Sequence, residues 1–482
     1  MKTTRRSMLA AMGTAPAALR AQNAPPNILL VLSDDHSNPY VGAYGADWMS
    51  TPNLDAFAAS GMRFDRAFTT APQCVPSRAG IMTGRSPVAV RMGRFSSPLP
   101  PEIVTLPEVL RGRHYYTGVC GRYFHLNGIS APNAATTAIY DKHNLRTWNR
   151  RVDFLDVSPQ DTTPAKFEQF LAQAPKGRPW FFWMNYSDPH HVWDEGAGKV
   201  DPARIKLPPH LPDLPGVRSD LARYCGEVER MDGLFGRNME VLKRRGLEEN
   251  TIVVFMGDNG MAFPHGKGSL YDPGLNVPLF VRWPGRVKPG STRALVSGED
   301  IAPTLIAAAG GAPPELMSGR SFLPLLLGSP SYQPRRHIFG ARVHHGNGPF
   351  TPLTKASTFD LSRCARSDRF KLIYNCTPQM EYWPVDSAND PGWQQILAAH
   401  RDGRLKPEHE KAYFQRPRPV LELFDLEKDP GELNNLAGSP EYREVQQELL
   451  AALHEKMVTD YDFLPPPVEE AMPRGPVRKK RG

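Results

Sequence analysis

Cys74 begins the string CVPSRAGIMTGR, in which a proline follows two residues later and an arginine four residues later. Pro76 fixes φ at a value that suits the first turn of a helix, and Ser77 and Arg78 tolerate that turn. Cys74 would then lie beside free backbone N–H groups and a guanidinium, which favour negative charge on its side chain. A half-buried packing cysteine at a helix start explains an isolated motif of this kind equally well.

Charged and imidazole side chains follow four apolar runs that are typical of buried strands. The runs cover residues 27–32, 115–120, 180–185 and 251–256, and helical stretches separate them. Because the carboxyl ends of parallel strands share one edge of a sheet, where ligands bind, we expect residues distant in sequence to meet there. The residues that would converge are Asp34, Asp35, Arg122, His125, His190, Asp258 and Asn259.

Three carboxylates and an amide oxygen stand among these residues, from Asp34, Asp35, Asp258 and Asn259. Hard oxygen ligands of this kind suit Ca²⁺ or Mg²⁺ rather than zinc. An Asp-Asp pair after a strand is usually a turn or a helix cap, and Asp-Asn-Gly is an ordinary turn sequence. Their occurrence together with the cysteine motif favours a metal site.

The predicted fold is α/β, with a large, mostly parallel central sheet flanked by helices and a smaller C-terminal α+β subdomain with an antiparallel sheet. An amphipathic helix is predicted over residues 219–245, and a further strand over 278–283. Past residue 335, the runs 370–374 and 421–424 are typical of the smaller sheet, and Pro440 begins a last helix. The predicted boundaries are 25–335 for the candidate catalytic domain, 336–465 for the C-terminal subdomain and 466–482 for a basic tail.

The net charge of +8 is concentrated at the two ends of the 482-residue chain. Residues 1–21 contribute +4 and residues 474–482 contribute +5, which leaves the rest at −1, so no nucleic-acid-binding fold is indicated. The five cysteines are too scattered for a disulfide framework or a zinc cluster. The basic tail is typical of a solvated charge run, although contact with polyanions stays open.

The first 21 residues resemble a bacterial twin-arginine export signal. Arg5 and Arg6 precede a weakly apolar, alanine-rich run that reaches Leu19, with cleavage expected near Ala21. That run is too short to cross a bilayer, and no later run is long enough. We therefore expect an exported bacterial protein, periplasmic or secreted, without a stable membrane anchor.

Several of these motifs together resemble the formylglycine-dependent sulfatases of the alkaline-phosphatase-like superfamily. The shared features are the strand ending in Asp34-Asp35, the C-x-P-S-R string, Asp188-Pro189-His190, Asp258-Asn259-Gly260 and Lys267 in a Gly-Lys segment. The stretches 231–233 through 258–264, the pair His344-His345 and residues 369–375 look most like the N-sulfoglucosamine sulfohydrolases, or heparan N-sulfatases. The resemblance extends along most of the chain and implies an alkaline-phosphatase-like fold.

The resemblance implies a mechanism and a set of ligands. A formylglycine-generating enzyme would oxidise Cys74 to an aldehyde, whose hydrate would attack sulfur beside one Ca²⁺ or Mg²⁺. The implied metal ligands are Asp34, Asp35, residue 74, Asp258 and Asn259. Cys74 is the implied source of the nucleophile. Arg78, Arg122 and Lys267 would offset the negative charge of the sulfuryl group. His190 would protonate the leaving atom, and His125 would help release sulfate. His344 and His345 would contact the sugar.

The substrate implied first is a sulfated saccharide with a terminal N-sulfoglucosamine, as in heparan-type glycans. Two departures leave O-sulfated glycans as an alternative: Arg122 replaces the family's usual lysine, and His125 lies one residue further on than in N-sulfatases. A phospho-ester hydrolase of the same superfamily would need a second set of metal ligands, which the sequence does not display. A glycan-binding protein with a decayed site fits poorly, because every candidate metal ligand is retained.

Overall fold

The computed structural model describes residues 24–93, 97–128, 134–194, 200–344 and 360–467. The predicted export segment, His345 and residues 468–482 of the predicted basic tail lie outside these ranges. Within them, the strands are β1 (Asn27–Ser33), β2 (Met62–Phe64), β3 (Ala67–Phe68), β4 (Tyr116–Cys120), β5 (Phe154–Asp156), β6 (Trp180–Asn185), β7 (Thr251–Gly257), β8 (Leu279–Arg282), β9 (Gly290–Thr292), β10 (Val296–Ser297), β11 (Ile338–Arg342), β12 (Ser362–Arg366), β13 (Phe370–Asn375) and β14 (Leu421–Asp425).

The described α-helices are α1 (Pro52–Ala59), α2 (Cys74–Thr83), α3 (Leu106–Arg111), α4 (Ala134–Lys142), α5 (Trp148–Arg151), α6 (Thr163–Gln173), α7 (Pro215–Arg244), α8 (Asp272–Leu275), α9 (Ile301–Ala308), α10 (Leu323–Leu326), α11 (Pro391–Arg401), α12 (Pro407–Phe414) and α13 (Arg443–Thr459). Short 3-10 helices cover Gly42–Tyr44, Tyr123–Leu126, Gln160–Thr162, Pro202–Arg204, Glu248–Asn250, Gly298–Asp300 and Pro440–Tyr442. The predicted helix at 219–245 is therefore present as α7, and Pro440 begins the 3-10 turn that leads into α13.

An eight-stranded sheet, in the order β5-β4-β6-β1-β7-β8-β2-β9, forms the centre of the described part of the chain. The neighbours β4, β6, β1 and β7 run parallel to one another. The pairs Leu32↔Asn185 and Ser33↔Gly257 bring the carboxyl ends of β6, β1 and β7 to one level. The four predicted strands are confirmed. Their carboxyl ends also lie at one edge of the sheet, so the polar residues that follow them can meet there.

The predicted strand at 278–283 forms β8, but it runs antiparallel to β7. Its carboxyl end therefore points away from the edge at which the four parallel strands end. This direction explains why the residues after β8 add nothing to the polar groups at that edge.

Hydrophobic packing covers both faces of the central sheet. Every residue of β1 is buried, as expected for a strand with helices on both sides. On one face, Leu29 belongs to an apolar cluster with Leu221 and Phe235 of α7. On the other face, Leu30 shares a cluster with Ile81 of α2. Burial of side chains of this size contributes about 1.5–3 kcal/mol each, so α2 is fixed firmly against the sheet.

A separate antiparallel sheet, in the order β11-β12-β13-β14, follows in the C-terminal part of the described chain. Helix α13 packs on it, with Leu449 and Leu453 in one apolar cluster with Leu372 and Leu423. The predicted fold class, a mostly parallel α/β sheet with a smaller antiparallel sheet, is confirmed. Among the described helices, none combines the length and the apolar character needed to cross a membrane.

Candidate active site

Asp34 and Asp35 follow β1 directly, and both are fully buried. The backbone N–H of Asp34 donates to the carbonyl of Asp188 at 3.1 Å, and that of Asp258 donates to the carbonyl of Ser33 at 2.9 Å. These bonds join the segments that follow β6, β1 and β7 beyond the last ladder pairs. The polar residues predicted to converge from these three strands therefore do so.

Cys74 is the first residue of α2, and its side chain faces the two aspartates. Its Sγ lies 3.2 Å from Asp34 Oδ1 and 3.8 Å from Asp35 Oδ1. Burial, reinforced by the Asp34 carboxylate, raises the pKa of the Cys74 thiol well above its usual range. The expectation that this environment favours negative charge on the cysteine is wrong, because carboxylates lie closer to Sγ than the sequence alone can reveal.

Arg78, one helical turn after Cys74, is a fully buried counter-ion to two of the carboxylates. Its Nε donates to Asp258 Oδ2 at 2.8 Å, and its Nη2 donates to Asp34 Oδ2 at 3.1 Å. A third donor, Nη1, binds Asn185 Oδ1. Asn185 was not among the predicted site residues, although it ends β6 and the strand-end pattern that selected the others applies to it equally.

Arg122 reaches the same aspartate from the end of β4. Its Nε lies 3.0 Å from Asp34 Oδ2. Burial alone would raise the pKa of Asp34, but Arg122 and Arg78 outweigh it and hold that pKa below the usual range. Gly121, with φ at 75°, makes the turn before Arg122, where a Cβ would overlap the carbonyl oxygen of Asn185.

His125 lies in the 3-10 helix Tyr123–Leu126 and is 7% exposed. Burial, together with the guanidinium of Arg78, lowers the pKa of His125 well below its usual value. The imidazole is therefore neutral, and it lies within the electrostatic reach of Arg78 and Asp34.

Lys267 enters the site from the segment after β7 and is 3% exposed. Its Nζ donates to Asp35 Oδ2 at 2.8 Å and to Asp386 Oδ2 at 2.7 Å, and it lies 3.2 Å from His190 Nε2. Burial opposes the charge, yet Asp35 and Asp386 keep the pKa of Lys267 well above its ordinary value. Asp386 was missed, because it lies in an irregular stretch that carries no recognisable motif.

His190 is held in one orientation beside Lys267. Its Nδ1 is hydrogen-bonded to the carbonyl oxygen of His191, so Nδ1 carries the proton and Nε2 is the acceptor that faces Lys267. Burial and the Lys267 ammonium lower the pKa of His190 to about 3. His190 is therefore neutral, with its free lone pair directed at the ammonium.

Asp258 and Asn259 complete the cluster from the end of β7. Asp258 Oδ1 accepts from the backbone N–H groups of Asp35 and Asn259, at 3.0 and 2.7 Å. The amide nitrogen of Asn259 donates to Asp35 Oδ1 at 2.8 Å, while its buried Oδ1 accepts no hydrogen bond from any described residue. Burial and the neighbouring carboxylate of Asp34 raise the pKa of Asp35 to about 6 and that of Asp258 to about 7.

One compact group of candidate ligand atoms results from this packing. Single ligand atoms of Asp34, Asp35, Cys74 and His190 all lie within 4.8 Å of one another. Burial is the main cause of the raised pKa values of Asp35 and Asp258, and four carboxylates, from Asp34, Asp35, Asp258 and Asp386, lie beside the three cations Arg78, Arg122 and Lys267. A cation among these oxygens would offset the excess negative charge.

The two histidines predicted to contact substrate are only partly placed. The carbonyl oxygen of His344 accepts a hydrogen bond from Gln73 Nε2 at 3.0 Å, which brings its backbone next to the residue before Cys74. His345 lies outside the described residues. The structure thus links the C-terminal region to the Cys74 segment at His344.

The family profile described as Sulfatase matches residues 26–312, and the profile described as N-sulphoglucosamine sulphohydrolase, C-terminal, matches residues 263–409. An ulvan-active sulfatase from Formosa agariphila is 30% identical over 460 residues, which cover 88% of this chain and 73% of that protein. Human N-sulphoglucosamine sulphohydrolase is 27% identical over 469 residues, which cover 88% of each chain.

Two solved structures share the fold. One is a protein in complex with its substrate D-glucosamine-2-N,6-O-disulfate, at a TM-score of 0.69 and 20% identity, covering 92% of this chain and all of that one. The other is a phosphonate monoester hydrolase from Silicibacter pomeroyi, at a TM-score of 0.67 and 20% identity, covering 91% and 96% of the two chains. Since one family profile spans more than half of the sequence and a relative of 30% identity aligns with 88% of it, this chain belongs to the sulfatase family, whose members hydrolyse sulfate esters or sulfamates.

Proposed function

We propose that this enzyme removes sulfate from a sulfated saccharide and that its nucleophile derives from Cys74 after conversion to formylglycine. The observation that carries the proposal is the position of Cys74 Sγ, 3.2 Å from Asp34 Oδ1 at the first residue of a buried helix. Once formed and hydrated, an aldehyde there supplies an oxygen nucleophile toward sulfur. A formylglycine-generating enzyme is the partner that this chemistry requires.

We further propose that Asp34, Asp35, Asp258, Asn259 and residue 74 hold one Ca²⁺ or Mg²⁺. Carboxylate and amide oxygens are the ligands that these hard cations prefer. The buried Asn259 Oδ1, which accepts no hydrogen bond from the described residues, supports this donor set. When bound, the cation supplies Lewis-acid polarisation of a sulfuryl oxygen.

The basic residues around this cluster are suited to an anionic group. Arg122 and Lys267 approach Asp34 and Asp35 from different segments, so a sulfuryl group bound between them would meet two cations. We do not expect Arg78 to donate to the sulfuryl group, because its donors already bind Asp34, Asp258 and Asn185. We assign it the role of holding the carboxylates that surround residue 74.

The proton for the leaving atom comes, in this proposal, from His190. Negative charge on a bound sulfuryl group would raise the pKa of His190, so that Nε2, which lies 3.2 Å from Lys267 Nζ, can take a proton from solvent and pass it to the leaving nitrogen or oxygen. We assign His125, which lies near Arg78, the role of accepting a proton when sulfate is released.

The first-choice substrate is a terminal N-sulfoglucosamine of a heparan-type glycan. Residues 263–409, which include Lys267 and His344, match the C-terminal profile of the N-sulphoglucosamine sulphohydrolases. The human relative of that name aligns with 88% of this chain. In this proposal His344 and His345 contact the sugar or its acidic groups from the C-terminal region.

An O-sulfated glycan is the second candidate, which Arg122 and the longer spacing from it to His125 leave open. The family usually has lysine there, whereas the guanidinium of Arg122 donates in a fixed plane and reaches Asp34. Relatives named ulvan-active sulfatases, at 30% and 27% identity, are consistent with this alternative.

A panel of N-sulfated and 2-, 3-, 4- and 6-O-sulfated sugars, with a phosphate monoester added, tests the assignment. We expect sulfate release from N-sulfoglucosamine to exceed release from every other compound, with Cys74→Ala as the inactive control. Release of O-sulfate without N-desulfation would overturn the proposed substrate and leave the sulfatase chemistry standing. Faster release of phosphate than of any sulfate would overturn both.

Export remains a prediction from residues 1–21, which lie outside the described part of the chain. We propose that the twin-arginine-like segment directs the enzyme to the periplasm or beyond it. Fractionation of the native host, comparing the wild type with an Arg5→Lys, Arg6→Lys variant, measures this directly. Equal amounts of both outside the cytoplasm would contradict it.

Arg230 on α7 should support catalysis by holding the loop that carries His190. Its Nε and Nη2 donate to the Asp188 carboxylate, at 2.8 Å each, two residues before His190. Arg230→Ala should lower kcat about tenfold through misplacement of the loop and lower the free energy of unfolding by about 1 kcal/mol. Steady-state kinetics and chemical denaturation measure both quantities. Arg237→Ala, at an exposed position of the same helix, is the control, and equal kinetics in the two variants would contradict the supporting role.

A further inference from the structure

The ammonium of Lys267 has three N–H donors, and three neighbours lie within hydrogen-bonding distance of it. They are Asp35 Oδ2 at 2.8 Å, Asp386 Oδ2 at 2.7 Å and His190 Nε2 at 3.2 Å. Asp35 and His190 each have a role in the proposed chemistry. Asp386 has none assigned, and it comes from the C-terminal region, 119 residues further along the chain than Lys267.

The segment that carries Asp386 packs closely on the backbone around Lys267. Val385 lies against Gly268, where an added Cβ would overlap the Val385 side chain, and φ of Gly268 is 79°. Asp386 itself has a φ of 66°, in the left-handed region, so the backbone changes direction at this residue. Its carboxylate is only 16% exposed. The contact between Asp386 and Lys267 is therefore part of the close packing between their two segments.

We infer that Asp386 is a positioning residue for Lys267, which it holds against the reacting sulfuryl group and beside His190. The inference rests on the proposed role of Lys267 in binding that group. A lysine side chain has four rotatable bonds and loses much conformational entropy when it is ordered. A fixed carboxylate at 2.7 Å orders the ammonium before substrate arrives.

Asp390, four residues later in the same segment, provides a matched control. Its carboxylate lies 2.8 Å from His191 Nε2 and has nearly the same exposure as Asp386, 17% against 16%. It makes a short charged contact with the loop after β6, but that contact is to His191 and not to Lys267. Asp390→Asn therefore removes a carboxylate from the same segment without touching the ammonium.

The test is a double-mutant cycle on the full chain, with sulfate release from the best compound of the panel as the readout. Asp386→Asn should lower kcat about 10- to 100-fold and change KM by less than about threefold, because the ammonium is still present but poorly placed. In the Lys267→Met background the same substitution should have no further effect, since the group it positions is gone. Asp390→Asn, which contacts the loop of His190 and not Lys267, should change kcat by the same factor in the wild type and in the Lys267→Met background.

Further outcomes separate positioning from a structural role and from the proposed function. Asp386→Glu, which keeps a carboxylate, should retain more activity than Asp386→Asn, while thermal unfolding of both variants stays near that of the wild type. Multiplicative effects of Asp386→Asn and Lys267→Met, or a change confined to KM, would overturn the inference. A wild-type kcat in Asp386→Asn, together with a reduced kcat in Lys267→Met, would also overturn the inference but would leave the proposed function standing. Full activity of Lys267→Met would overturn both.

Discussion

Replacement of Cys74 by alanine should abolish sulfate release, lowering kcat by at least about 10³-fold, because the proposed nucleophile derives from this side chain. The fold should survive. Alanine is a good helix former at the start of α2, and the lost thiol is a small group, so the free energy of unfolding should fall by only about 1 kcal/mol. Sulfate release and chemical denaturation measure the two effects separately.

The matched control is Cys225→Ala, which removes a fully buried thiol from the long helix α7, away from the site. This variant should lose a similar amount of stability and keep its kcat. Mass spectrometry of the peptide that spans Cys74, from protein purified from the native host, should show the aldehyde. A fully active preparation with only unmodified thiol at this position would contradict the proposed nucleophile.

Much of the site follows from the four parallel strands, which the apolar runs of the sequence predict. The apolar runs that end before Asp34, Arg122, His190 and Asp258 form the parallel strands β1, β4, β6 and β7. Once these strands are parallel neighbours, their carboxyl ends must meet, and the polar residues that follow must meet with them. The pattern of hydrophobic runs is sufficient for this prediction, because buried parallel strands are apolar on both faces and appear in the sequence as continuous apolar runs.

Other features could not be predicted, because they depend on contacts between distant segments. An apolar run has no direction of its own, so nothing at 278–283 indicated that β8 is antiparallel to β7. The thiol of Cys74 was expected to be stabilised as an anion by its helix and by Arg78, but Arg78 is already bound to Asp34 and Asp258. Asp386 lies in a stretch without periodicity, and contacts such as the packing of Val385 on Gly268 bring it to Lys267.

Removal of one carboxylate from the cluster should cost both metal and activity. The Asp258 carboxylate accepts three hydrogen bonds, from the N–H groups of Asp35 and Asn259 and from Arg78. In Asp258→Asn the side-chain amide would present N–H groups to one of these donors, and one unit of negative charge would be lost. We expect the variant to bind Ca²⁺ or Mg²⁺ far more weakly and kcat to fall at least about 10²-fold.

Metal binding is measured apart from catalysis by metal analysis and by calorimetric titration with Ca²⁺ or Mg²⁺. The effect of the ion on the rate is measured by chelating the wild type and then adding the ion back. Asp232→Asn is the control. Asp232 is a buried carboxylate on α7 that accepts hydrogen bonds from Asn53 and Leu54, remote from the cluster. Its loss should lower stability and leave metal content unchanged. Stoichiometric zinc in the wild type, or full activity after exhaustive chelation, would contradict a hard-cation site made of carboxylate and amide oxygens, because zinc prefers thiolate and imidazole ligands.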